Sequence, residues 1–146
     1  MGAVSHTHQD RSNLNAIGLE PVDLVIVNLG SNDMLRGLDP GLAHENLSQI
    51  LDKLEARGIA ALLVGHLGPL NYGAEYKAQY DRAFQELATR YDVAFYPFYF
   101  KTLMAPDGVT PDLQNYFQAD GLHPNAEGVA AVVADMGPYV LRALGR

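Results

Sequence analysis

Asp120 and His123 are the residues whose types and spacing are best suited to acid–base chemistry. They lie three residues apart in the segment Asp-Gly-Leu-His-Pro-Asn at positions 120–125, with Gly121 between them and Pro124 directly after the histidine. At this spacing the carboxylate can turn back onto one ring nitrogen, which fixes the imidazole tautomer and leaves the other nitrogen available as a general base. The same pattern also suits a helix-entry loop with a capping aspartate and an exposed histidine, because His–Asp neighbours are common on surfaces.

A second group of polar residues, Gly-Ser-Asn-Asp at positions 30–33, follows an apolar run over residues 24–27. Gly30 allows the backbone to turn sharply. Asn32 then offers a neutral side-chain amide donor at a place where an oxyanion would need a hydrogen bond. An ordinary loop is the alternative, since all four residues are common turn formers.

The apolar run at 24–27 is the element that must position this second group. A short unbroken run rich in β-branched residues predicts a strand that is covered on both faces, as in the centre of a parallel sheet. Ligands of such sheets bind just beyond the carboxyl ends of the strands. The run breaks at Asn28, so positions 30–33 are expected at that edge.

Strands and helices alternate along the rest of the chain, which predicts an α/β fold with a parallel sheet. Asp39 and Pro40 are typical of a helix start, and Gly58 is typical of its end. The further expected elements are a short helix at 12–19, a loop at 34–37, a strand at 59–64, a loop at 65–73, a helix at about 74–91, a strand at 93–96 and a long loop at 101–119.

Asn125 is expected to cap a last helix, with a kink where Gly137 precedes Pro138. Its expected buried face is Val129, Val132, Val133, Met136, Val140 and Ala143.

Composition limits the classes of protein to which the chain can belong. Its 146 residues predict one domain, and 48% hydrophobic with 18% charged residues is ordinary for a soluble globular protein. A formal charge of −7 argues against a nucleic-acid groove or an anionic membrane surface as partner. The absence of cysteine excludes disulfides, a thiol nucleophile and cysteine metal sites. We expect neither a secretory signal at the start of this sequence nor a membrane span.

The two polar segments, in this order, resemble the two C-terminal signature blocks of the SGNH (GDSL) hydrolases. Residues 31–37, 69–73 and 91–98 further resemble loops and a strand of the arylesterase/lysophospholipase/thioesterase I branch, so that the resemblance covers about 23–144. It implies a flavodoxin-like, three-layer α/β/α fold with a parallel sheet. One such domain is expected over 1–146, with residues 1–20 irregular or rearranged. The chain is expected to be soluble and cytoplasmic as it stands, while the family also allows a periplasmic or secreted location.

The resemblance also implies an activity and a set of site residues. The activity is hydrolysis of a small carboxylic ester or thioester by acyl transfer, without cofactor or metal. His123 would be the catalytic base, Asp120 the acid that orients it and Asn32 an oxyanion-hole donor. The residues expected to line the substrate site are Gly30, Ser31, Pro69 and Asn71.

One feature of the family has no counterpart in this sequence. The Gly-Asp-Ser block, which carries the nucleophilic serine, is not found, and His6 stands where a second block would have glycine. An N-terminally truncated member is therefore expected. Ser5, Ser12 and Ser31 remain as substitute nucleophiles. The alternative function is a non-catalytic SGNH scaffold that serves as an oligomeric or ligand-binding module.

The same departure has a consequence for assembly. Without a preceding strand, the strand over residues 24–29 would present unpaired backbone groups at an edge of the sheet. We therefore expect a homo-oligomer through this edge. Among the other histidines, His6 and His8 with Asp10 could bind a metal but more simply form a polar terminus. His44 and His66 have no assigned role, although His66 follows a strand end and could line the pocket.

Overall fold

A computed structural model of the chain describes residues 22–145. It contains a parallel three-stranded sheet formed by β1 (Leu24–Val27), β2 (Ala60–Val64) and β3 (Ala94–Tyr96), in the order β1-β2-β3. The register pairs Leu24 with Ala60 and Val64 with Tyr96. The predicted parallel sheet is confirmed. The predicted helix at 12–19, together with Ser5, His6, His8, Asp10 and Ser12, lies outside the described residues.

Five α helices connect and cover the strands in the described part of the chain. They are α1 (Ser31–Leu35), α2 (Pro40–Glu55), α3 (Ala74–Tyr91), α4 (Leu113–Tyr116) and α5 (Ala126–Ala143), with 3₁₀ turns at Leu70–Tyr72 and Lys101–Leu103. The predicted caps are confirmed, because Asp39 accepts from the Leu42 N–H (3.1 Å) and Asn125 from the Gly128 N–H (2.9 Å). None of the helices within 22–145 has the length and apolar character needed to cross a bilayer.

The helices form a layer on each face of the sheet. Against one face, α2 and α3 bury a core that includes Leu47, Ile50, Leu51, Leu54, Phe84 and Leu87 together with Val27 and Leu63 of the strands. On the other face, Met136, Tyr139 and Val140 of α5 pack against Leu62, Val64 and Tyr96. Residues 61–64 of β2 are buried on both faces, as the unbroken apolar sequence predicts.

The strand β1 lies at the edge of this sheet. Among residues 22–145 it pairs only with β2, and Ile26 is 47% exposed. The prediction that β1 is covered on both faces is therefore wrong at Ile26. The described residues of α5 that pack on the sheet lie against β2 and β3, whereas Val25 and Val27 point the other way into the core of α2 and α3.

The last helix differs from prediction in its buried face. Val132 is buried, but Val129 and Val133 are exposed, the latter by 63%. The helix turns Val132 and Met136, four residues apart, towards the interior, so that Val133 projects outwards. The helix is continuous through Pro138.

Three segments that are predicted to be loops contain helical turns, and one of them is the segment 65–73 with its 3₁₀ turn at Leu70–Tyr72. Residues 31–35 form α1, because Gly30 makes the turn with φ 105° and its carbonyl accepts from the Met34 N–H at 3.0 Å. The segment 101–119 contains a 3₁₀ turn and α4, and it is braced by antiparallel bridges between Met104 and Pro111 and between Phe117 and Pro124.

A polar cluster holds α5 against β3. The Tyr96 hydroxyl donates to Asp135 at 2.8 Å, and the Lys101 ammonium lies 2.7 Å from the same carboxylate. The ammonium is also 4.8 Å from the centre of the Tyr96 ring. The hydrogen bond from Lys101 lowers the pKa of Asp135. This cluster fixes the position of α5 and hence of the segment 120–125 that leads into it.

We expect Leu63→Ala to destabilise the protein by about 2–5 kcal/mol, because the fully buried Leu63 would leave a cavity between β2 and its helices. The free energy of unfolding is measured by urea denaturation. The control is Val133→Ala, where the exposed side chain should change stability by about 0.5 kcal/mol or less. Equal losses in both variants would contradict this assignment of the core.

Candidate active site

The carboxyl ends of the three strands meet at one edge of the sheet. The Gly65 N–H donates to the Tyr96 carbonyl at 2.8 Å, and the Tyr99 N–H donates to the Gly65 carbonyl at 2.9 Å. A Cβ at Gly65 would collide with the carbonyl oxygen of Pro97, so this close approach requires glycine. The segments that follow β2 and β3 are thus held side by side.

His66 connects the segments that follow β1 and β2. Its Nε2 lies 2.8 Å from Asn28 Oδ1, and its Nδ1 lies 3.2 Å from Ser31 Oγ. The side chain is buried, with 5% exposure, and burial lowers its pKa to about 4. From the sequence, His66 is expected only to line the pocket because it follows a strand end, and Asn28 has no expected role. The signal for both is position, since Asn28 directly follows β1 and His66 lies two residues after β2.

A row of rings leads from His66 to the loop that carries Asp120 and His123. The centroid distances are 5.9 Å from His66 to Tyr99, 4.9 Å from Tyr99 to Phe100 and 5.5 Å from Phe100 to Phe117. Phe117 pairs with Pro124 at the base of the loop, where the Gln118 N–H donates to the His123 carbonyl at 2.8 Å. Continuous contacts therefore connect the two polar segments identified in the sequence.

Asp120 and His123 make the contact that their spacing predicts. The ring atom Nδ1 of His123 lies 2.7 Å from Asp120 Oδ2, while Asp120 Oδ1 accepts from the backbone N–H groups of Leu122 (2.9 Å) and His123 (3.0 Å). Because a carboxylate only accepts, Nδ1 carries a proton, and in the neutral ring Nε2 then keeps its lone pair. The helix cap is Asn125 rather than Asp120, which separates this arrangement from a simple capping role.

The electrostatics of this pair favour an ionised aspartate. The backbone N–H of His123, followed by its ring and then by the Leu122 N–H, lowers the pKa of Asp120 to about 2. The His123 side chain is 73% exposed, so its contact with Asp120 adds little to stability. What the contact provides is orientation of the imidazole.

The expected oxyanion and substrate residues lie in the segments that follow β1 and β2. Gly30 is buried, and Ser31 and Asn32 are partly exposed. Pro69 and Asn71 lie in the segment after β2, which is tied to the α1 region because the Tyr72 hydroxyl donates to the Leu35 carbonyl at 3.1 Å. Their roles stay predictions.

The described serines differ in their surroundings. Ser31 faces His66, whereas Ser48 lies between α2 and α3, 2.6 Å from the Tyr91 hydroxyl. Within residues 22–145, no group of three or more histidine or acidic side chains is arranged to hold a metal ion.

A separate cavity of about 720 Å³ lies at the opposite end of the sheet, next to the amino ends of β2 and β3. Its lining includes Leu54, Ile59, Tyr91, Phe95 and Arg142. It contains none of the predicted site residues.

We expect the Asp120 carboxyl to titrate near pH 2, well below its ordinary value of 3.8. Because the folded-state pKa is lowered, the associated stability is present above the ordinary value and is lost as the pH falls through about 2. Carboxyl ¹³C resonances report the titration, with Asp120→Asn identifying the signal. In His123→Ala the backbone N–H remains, so the pKa should still lie below 3.8. A wild-type midpoint near 3.8 would contradict the observed hydrogen bonding.

Comparison with known proteins places these features in a family. The model of the GDSL-like lipase/acylhydrolase family matches residues 2–131. Esterase TesA of Pseudomonas aeruginosa is 38% identical over 101 residues, which cover 69% of this chain and 47% of that protein. Thioesterase 1/protease 1/lysophospholipase L1 of Escherichia coli is 33% identical over 103 residues, which cover 70% of this chain and 46% of that protein. The chain spans about half the length of these curated relatives.

Solved structures agree with this assignment. The crystal structure of TesA superposes with a TM-score of 0.83 at 29% identity, covering 97% of this chain and 75% of that one. AlinE4, an SGNH-hydrolase family esterase, gives a TM-score of 0.69 at 36% identity, covering 96% of this chain and 72% of that one. The chain therefore belongs to the GDSL-like lipase/acylhydrolase (SGNH hydrolase) family, on the branch that includes TesA, thioesterase 1/lysophospholipase L1 and arylesterase.

Proposed function

We propose that the protein hydrolyses carboxylic esters or thioesters by acyl transfer, with His123 as general base, Asp120 orienting it and Asn32 donating to the oxyanion. The observation that carries the proposal is the 2.7 Å contact from Asp120 Oδ2 to His123 Nδ1, which leaves Nε2 as a base on an exposed ring. Esterase and thioesterase names among the relatives support the same class of reaction.

The reaction needs a hydroxyl oxygen that attacks the acyl carbon. The His123 Nε2 takes the hydroxyl proton as the new C–O bond forms, and then gives it to the leaving alkoxide or thiolate. A side-chain amide at Asn32 would stabilise the negative charge on the acyl oxygen. The printed sequence contains no Gly-Asp-Ser block to supply the hydroxyl, and Ser31 is the described serine that lies at the carboxyl end of a strand.

In the proposed acyl site, the exposed side chains of Leu35, Leu38 and Leu70 would pack against the acyl group of the substrate. Two tyrosine hydroxyls join the segment after β2 to the segment after β1. Tyr72 donates to the Leu35 carbonyl at 3.1 Å, and Tyr76 donates to the Leu38 carbonyl at 2.9 Å. With Gly30, Ser31, Pro69 and Asn71, these segments would form the walls of the acyl site.

The alternative is a non-catalytic scaffold with a role in assembly or ligand binding. It is favoured by β1, which in the described part of the chain pairs on one side only and exposes Ile26. A homo-oligomer through this edge is compatible with either function.

We expect His123→Ala to remove most of the turnover of p-nitrophenyl acetate, because the general base is lost. Asn32→Ala should lower kcat by about 10²–10³, the usual effect of removing one oxyanion donor. His44→Ala is the control, as His44 lies on α2 outside the candidate site. Equal rates near background in the wild type and His123→Ala would favour the non-catalytic scaffold.

We expect the chain to self-associate at micromolar concentration, because pairing of β1 edges would satisfy its outer backbone groups. Multi-angle light scattering measures the mass. Ile26→Lys places a charge on the exposed apolar position of β1 and should shift the population towards monomer, while Val133→Lys on α5 serves as control. A monomeric wild type would contradict the prediction.

A further inference from the structure

His66 is a buried imidazole that the proposed reaction does not use. It stands at the carboxyl end of β2 and reaches across to β1, where it contacts two residues that are 38 and 35 positions away in the chain. Phe84 and Tyr99 lie against it, with ring centroids at 5.7 Å and 5.9 Å. Both nitrogens therefore have a partner, and two aromatic rings lie beside the imidazole.

The hydrogen bonds define the proton positions on this ring. The acceptor at 2.8 Å is the amide oxygen of Asn28, so Nε2 carries the proton. In the neutral ring Nδ1 is then an acceptor, and the Ser31 hydroxyl donates to it at 3.2 Å. Burial disfavours the imidazolium, with a pKa of about 4, so the ring is neutral at neutral pH.

These two bonds enclose the turn that precedes Asn32. Asn28 and Ser31 lie on either side of Leu29 and Gly30, and the ring spans the interval between them. Gly30 adopts φ 105°, and a Cβ there would lie 3.1 Å from the Phe84 ring. The turn is thus restrained from β2 through His66 and from α3 through Phe84.

We infer that His66 is a positioning residue: by holding Asn28 and Ser31 it fixes the turn after β1 and so the direction in which the Asn32 amide meets the acyl oxygen. The inference rests on the proposed role of Asn32. It assigns to the Ser31 hydroxyl the task of donating to His66, rather than that of attacking the substrate.

The competing assignment makes Ser31 the nucleophile and His66 its base. That step would place the hydroxyl proton on Nδ1 and create an imidazolium in a buried site. The partner on Nε2 would then be the neutral amide of Asn28, whereas His123 has the carboxylate of Asp120. A positive charge on His66 would have little compensation, which favours the positioning role.

Two substitutions of His66 test the inference on the full chain. His66→Leu removes both hydrogen bonds, and we expect kcat for p-nitrophenyl acetate to fall by about 10- to 100-fold with KM within about twofold, as for misplacement of a catalytic group. His66→Gln supplies one amide acceptor and one donor and should recover most of kcat. His44→Leu is the matched control on α2. Unchanged kcat in His66→Leu, or no recovery in His66→Gln, would overturn the inference.

Ser31→Ala distinguishes the two assignments and also serves if His66→Leu fails to fold. The positioning role predicts a decrease in kcat of at most about tenfold, since the Asn28 bond remains. Loss of all turnover, with a fluorophosphonate label mapped to Ser31 in the wild type, would establish the nucleophile assignment and overturn ours.

A measurement that does not depend on turnover separates this inference from the proposed function. We expect the ¹⁵N resonances of His66 to show the neutral Nε2–H form throughout pH 5–9. The Asn32 side-chain amide signals should move in His66→Leu or Ser31→Ala, while those of Asn115, which donates to Asp112, should not. If the wild type is inactive but gives these spectra, the proposed hydrolase function is wrong and the positioning role of His66 in the turn still stands. If His66 titrates between pH 5 and 9, or if the Asn32 signals do not move, the inference that His66 restrains the turn after β1 is wrong.

Discussion

The parallel register of the three strands is the constraint on which the rest of the structure depends. Because β1, β2 and β3 run in the same direction with their ends aligned, the segments after all three emerge at one edge. The close backbone contacts of Gly65 with Tyr96 and Tyr99 then fix the second and third of these segments together. A chain that buried the same side chains in another strand order would not bring Asn28, Ser31 and His66 into contact.

The second half of the candidate site is attached through α5. The Asp135 cluster holds this helix against β3, and Gly128 allows its first turn to approach the Tyr116 carbonyl so closely that a Cβ would collide. The loop with Asp120 and His123 is closed at its base by the pairing of Phe117 with Pro124. Its geometry is therefore set by buried contacts, although the two functional side chains are themselves exposed.

His66 and His123 illustrate how environment assigns different tasks to one side-chain type. His123 is exposed and has a carboxylate partner, which suits a group that must gain and lose a proton. His66 is buried between aromatic rings with neutral partners, which suits a group that keeps one protonation state. A ladder of Tyr72, Tyr76 and Tyr80, with centroids 5.1 Å apart at each step, supports the neighbouring segments from α3.

The sequence by itself determined the features that depend on residues a few positions apart. These are the helix starts at Asp39 and Asn125, the buried strand β2, and the turn of Asp120 onto His123, all of which follow from local propensity or short-range geometry. Family resemblance added the expected roles of Asn32 and His123. Only the tertiary structure decided that His66 meets Asn28 and Ser31, that Ile26 of β1 is exposed among the described residues and that Val133 faces outwards. The physical reason is that these features depend on the order of the strands and on how far α5 extends over the sheet. Hydrophobic periodicity along the chain indicates which residues are buried, but it specifies neither the strand order nor the position of α5.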